Sequence, residues 1–125
     1  MSLVAELMDL PGVIAAGDYA YRGDQYTWRG DITEREARMI STLCRANLET
    51  VRMEGDMLAM FSRVCQPGGR GCGFERAKGW MVNGGERSVC VLSNVYCIFD
   101  NAEASMTSIL RLMRERLKDA PDILI

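Results

Sequence analysis

Residues 33–64 carry one unbroken helical pattern, and the rest of a 125-residue chain has to be arranged around it. Thr33-Glu34-Arg35-Glu36 is a capping box. The threonine oxygen can accept the orphan N–H three residues on, and the glutamate there can reach back to the threonine N–H. Asp31 and Glu34 place negative charge at the positive end of the helix dipole. No proline follows before Pro67, and Gly55 is the one glycine inside. About thirty residues span roughly 45 Å, whereas the mean helix of a globular protein has about 11–12 residues.

Placed at successive steps of about 100°, the side chains separate into faces. One apolar flank collects Ile40, Leu43, Cys44, Leu48, Val51, Leu58 and Phe61, and the adjoining flank collects Met39, Ala46, Met53, Met57, Met60 and Val64. Arg38, Arg45, Glu49, Arg52, Asp56 and Arg63 gather opposite. The apolar arc is about 240° wide, where an ordinary surface helix shows about 100°. Two arrangements can cover so wide an arc: a helix sunk in one large monomeric core, or a helix shared with a partner. A chain this short offers little material to bury both flanks. The expectation is therefore that the aliphatic flank lies on the protein's own sheet and the methionine-rich flank meets a partner, since methionine suits adaptable contacts. Asn47 and Glu54 lie near the centre of the arc. There they could set the register of a packed seam, or Glu54 could reach past its edge to water or an arginine.

Composition narrows the function. The net charge is −2, so nothing suggests a nucleic-acid footprint. Charged residues interrupt every apolar run before it reaches membrane-spanning length, and no membrane partner is expected. Residues 1–10 include Glu6 and Asp9 and lack a basic segment, unlike a signal peptide. The expected setting is cytoplasmic and reducing, with Cys44, Cys65, Cys72, Cys90 and Cys97 as thiols. The chain contains no histidine. That removes the usual general base, any histidine-dependent triad and every histidine-bearing metal site. No catalytic, cofactor or metal residues are expected, and the chain does not read as an enzyme.

The remaining elements follow in order. Ser2 can cap a short helix to about Leu10, with Leu3, Leu7 and Leu10 on one face, and Pro11-Gly12 stops it. Residues 13–20 read as a strand whose small residues at 15–17 suggest close packing of a helix. Residues 25–29 alternate, with Tyr26 and Trp28 on one face, as in a half-exposed edge strand. Arg-Gly-Asp at 22–24 and at 29–31 reads as turn chemistry. Residues 66–73 are a glycine-rich connector. Residues 77–82 form a third strand and Asn83-Gly84-Gly85 a hairpin turn. Two apolar strands, 87–92 and 95–99, flank Ser93-Asn94. They read as central strands covered on both faces, with Cys90 opposite Cys97. Asp100-Asn101-Ala102-Glu103 then offers a capping signal for a helix to about Lys118, lined by Met106, Ile109, Leu110, Met113 and Leu117. The expected whole is one α+β domain over residues 1–120, with a tail at 121–125. Its order is α-β-β-α-β-β-β-α, and a five-stranded antiparallel sheet with helices on both faces accommodates it.

In that order the chain resembles the roadblock/LC7 (profilin-like) superfamily over nearly its whole length, and most of all a small prokaryotic family of uncharacterised roadblock-like proteins. The resemblance rests on residues 7–17 (Leu-Met-Asp-Leu-Pro-Gly-Val-Ile-Ala-Ala-Gly), residues 44–47 and Lys78-Gly79-Trp80-Met81-Val82. Ser88-Val89-Cys90-Val91 and Asn94-Val95 add to it. The glycine-rich connector is longer than the usual roadblock one. The resemblance implies a sheet ordered 2-1-5-4-3. It also implies a homodimer, or a heterodimer of like chains, joined through the long helix and the third strand, here residues 77–82, with Trp80, Met81 and Val82 at the interface. Roadblock-like dimers serve as regulators or scaffolds, and a small Ras-like GTPase is one kind of partner the resemblance suggests.

Two other functions remain open at this level. The glycine-rich loop 66–73 with Arg70 and Arg76 could bind an anion in a small-ligand sensor. Cys65 or Cys72 could be the reactive thiol of a redox protein, although Arg70 is the one cation near them.

Overall fold

The computed structural model describes residues 2–20, 25–61 and 77–119, with Phe61 described by its backbone alone. The glycine-rich loop, Val64, Cys65, Cys72, Arg70, Arg76 and the first Arg-Gly-Asp lie outside the described residues. The order is α1 (Leu3–Met8), β1 (Val13–Tyr19), β2 (Tyr26–Gly30), α2 (Glu34–Phe61), β3 (Gly79–Asn83), β4 (Arg87–Leu92), β5 (Val95–Asp100) and α3 (Met106–Leu117). All five strands pair antiparallel in one sheet ordered β2-β1-β5-β4-β3. The expected α+β architecture and strand order are both present.

Local chemistry explains most boundaries. The Ser2 hydroxyl accepts the Ala5 N–H at the start of α1. Gly12 ends the following turn at φ 78°, where a Cβ would stand 2.4 Å from the Ala104 nitrogen. The capping box of α2 is closed in both directions: the Thr33 N–H donates to Glu36 Oε1 at 2.9 Å, and the Glu36 N–H donates to Thr33 Oγ1 at 3.2 Å. Those bonds hold the Glu36 carboxyl below its ordinary pKa, chiefly through the Thr33 N–H.

The start of α3 differs from expectation. Asp100 is the last residue of β5, paired with Arg87, and its side chain accepts from the Ala102 and Glu103 N–H groups. The helix begins five residues later, where the Ser105 hydroxyl accepts the Ser108 N–H. Asp100 has the right chemistry for a cap, but the ladder to β4 fixes its backbone as strand.

The sheet divides two cores. On one face, α1 and α3 pack over Leu7, Ala16, Cys90, Val95, Cys97, Phe99, Ile109 and Met113. On the other, α2 is the one helix among the described residues, packing Cys44 over Tyr19, Val91 and Tyr96. Gly17 faces Tyr96 across the strand pair, and a Cβ there would come within 2.4 Å of the Tyr96 hydroxyl. This small residue admits a tyrosine ring.

Cys90 and Cys97 are cross-strand partners, as the two-residue turn implies. Both are buried free thiols, as is Cys44. Burial pushes the Cys44 thiol up to about 12. A hydrogen bond with Cys90, reinforced by burial, raises the Cys97 thiol well above its ordinary value. Cys44 and Cys97 are thus held away from the thiolate form that reacts, whereas the same hydrogen bond with Cys97 lowers the Cys90 thiol.

Candidate interaction surface

The residues of α2 that face the sheet are mostly small: Ala37, Ser41, Cys44, Leu48 and Gly55 are buried. Ile40 and Val51 are half-buried beside them. The reason is volume. Tyr19 and Tyr96 rise from the sheet beneath this helix, and close packing leaves room only for short side chains opposite them. The helix is therefore rolled away from the expected orientation. Leu43 and Leu58, expected inward with the aliphatic flank, are 53% and 54% exposed.

The methionine flank is open to solvent. Met60 is 76% exposed, Met39 63%, Met53 57% and Met57 49%. Ala46 and Glu54 share this exposed side, while Asn47 is half-buried. Glu54 thus sits in water. Among the described residues, Met39, Leu43, Ala46, Thr50, Met53, Met57 and Met60 follow one another at alternating steps of four and three, the spacing of a packed helical seam. That spacing was the signal in the sequence that could have assigned Leu43 outward.

The third strand contributes two of its three expected residues to the same side. Trp80 belongs to the core beneath α2 and Val82, on the same side of the strand, is 53% exposed. Met81 points the other way, into the core beneath α1 and α3. The alternation of a strand makes this unavoidable: three consecutive residues cannot share one face. Between α2 and the β3–β4 hairpin lies an apolar cleft of about 230 Å³, whose lining includes Ile40, Leu43, Trp80, Val82 and Val89. Of these cleft residues, sequence reasoning assigned Trp80 and Val82 to the surface, but not Ile40, Leu43 or Val89. The Trp80 indole N–H is buried and has no acceptor among the described residues, and a buried donor left unpaired costs about 1–3 kcal/mol. β3 is the last strand of the sheet, and an edge strand invites pairing.

A second hollow, of about 560 Å³, opens beside the same N-terminal half of α2 and is lined by Tyr19, Gln25, Tyr26, Arg38, Ser41, Thr42 and Arg45. Among the described residues no group of three or more Cys, Asp or Glu could hold a metal ion. No described helix is long and apolar enough to cross a membrane.

No curated protein matches this chain. The model of an uncharacterized conserved protein family, DUF2173, matches residues 3–115, and the chain belongs to that family.

Proposed function

We propose that this DUF2173 protein is a non-catalytic, dimeric regulatory or scaffold module of roadblock/LC7 type, joined to a second copy through α2 and β3. The observation that carries the reading is the row of exposed methionines and leucines along α2, beside an edge strand and an apolar cleft. Scattered apolar residues on a surface are ordinary, but a contiguous row is the mark of an interface. Antiparallel pairing of two β3 edges would extend the sheet to ten strands and remove both edges. A small Ras-like GTPase is the partner class we assign to the assembled dimer, and a reducing, cytoplasmic setting suits its free thiols.

Multi-angle light scattering at micromolar concentration tests the reading. The expected result is a mass of two chains, and Met57→Glu should return one chain by placing an unpaired carboxylate in the seam, at several kcal/mol. A wild-type monomer across that range would overturn it.

A second reading is favoured by the 560 Å³ hollow, whose size suits a small molecule and whose lining carries Arg38 and Arg45. It would make the protein a sensor of a small anionic ligand. A thermal-shift screen of anionic metabolites should then raise the midpoint for at least one compound. A flat screen would remove this reading.

A further inference from the structure

The outer face of α3 carries a feature that the proposed dimer does not use. α3 lies on the opposite side of the sheet from α2, so this face stays open when two α2 helices meet. Its outward residues Thr107, Arg111, Arg114 and Lys118, with Leu110 and Glu115 at the margins, surround a hollow of about 520 Å³. Two of the helix's cations are already engaged. Arg116 pairs with Glu6, and Lys118 donates to Glu115 at 3.3 Å. Arg111 and Arg114 are exposed and have no ion-pair partner among the described residues. Basic residues near a helix C-terminus answer the dipole, but that effect fades beyond the last turn. α3 ends at Leu117, so Arg111 stands too far back for this explanation. The chain as a whole is acidic, at −2, so the cationic spot is local.

We infer that this face of α3 docks an acidic protein segment. Arg111 and Arg114 stand about one turn apart, and each guanidinium can take one carboxylate in a two-pronged contact. The segment that fits is a helix with acidic residues one turn apart and an apolar side chain between them, set against Leu110. Two unpaired arginines fall short of the four to eight basic residues that an anionic membrane surface requires. They also fall short of the strongly basic face of a nucleic-acid-binding domain.

The test uses the full chain and a fluorescent helical peptide with glutamates one turn apart flanking leucine, followed by anisotropy. Saturable binding is expected, weakening between about 50 mM and about 300 mM salt. Arg111→Glu with Arg114→Glu should lower the affinity by roughly tenfold or more. Both side chains are exposed and unpaired, so this variant should keep its circular dichroism and its mass by light scattering. If it does not, Arg111→Gln with Arg114→Gln replaces it, with the same loss expected. Phosphatidylserine vesicles and a single-stranded oligonucleotide should bind more weakly than the peptide. Absence of saturable peptide binding, equal binding by the variant, or tighter binding to vesicles or oligonucleotide would overturn the inference. The light-scattering mass of the wild type reports on the dimer separately, so either proposal can fail alone.

Discussion

The two faces of the sheet are covered differently, and the difference accounts for the candidate surface. Beneath α1 and α3, two helices lie side by side and shield each other's flanks. Leu7, Ile109 and Met113 are fully buried there, and Arg116 reaches across to Glu6. On the other face α2, of 28 residues, is the one helix among the described residues that crosses the sheet. A lone cylinder on a sheet buries one narrow line and exposes both sides. In α2 the narrow line is made mostly of small residues with Leu48, and the methionines, Leu43 and Leu58 stand out in water. A helix has a surface of its own to spend on a partner when its neighbours do not use it.

The largest expected effect tests that contrast directly. Ile109→Ala should destabilise the fold by about 2–5 kcal/mol, through lost burial and a cavity. Leu58→Ala, of similar chemistry but on the exposed side of α2, should cost within about 0.5 kcal/mol of the monomer's stability. Chemical denaturation at low protein concentration checks both, and equal losses would break the comparison.

Next in size is an alkaline effect from the α2 side. The Cys44 thiol is raised from 9.0 to about 12 by burial. A raised folded pKa favours the protonated native form, so its contribution is complete below the unfolded value and is lost as pH rises toward the folded one. Stability should therefore decline between about pH 9 and 12, and Cys44→Ser should flatten that part of the profile. Denaturation midpoints measured across this range supply the comparison.

The smallest effects concern the two helix starts. Ser105→Ala and Thr33→Ala should each cost about 1 kcal/mol by releasing a capped N–H. For Thr33 the loss should shrink in acid. The Glu36 carboxyl that completes the box has a lowered pKa, so its share is present above the unfolded value and disappears as pH falls through the folded one. Thermal midpoints at neutral and acid pH measure both.

Much of the architecture was legible because its causes are local. The Thr33–Glu36 box, the Pro11-Gly12 stop, the Ser93-Asn94 turn and the alternation in β2 each act within a few residues. Their chemistry is the same before and after folding. The pairing of Cys90 with Cys97 followed from the turn alone, and so did the central place of β4 and β5 from their apolar runs. The roll of α2 was not legible in this way. Leu58 is as apolar as Leu48, and the four-three spacing that marks Leu43 as outward does not include it. Tyr19 and Tyr96, distant in the chain, occupy the volume beneath it and admit only Ala37, Ser41 and Cys44 closely. Met81, by contrast, was separable from Trp80 and Val82 by strand alternation alone.

The sequence alone therefore determined which segments are helix and strand, and that α2 carries more apolar surface than one small domain can hide. Only the tertiary structure decided which part of that surface is hidden, where α3 begins, and that Arg111 and Arg114 have no ion-pair partner among the described residues. The physical reason is that secondary structure is set by neighbours along the chain. Burial is set by the volumes of side chains that meet only after the chain has folded.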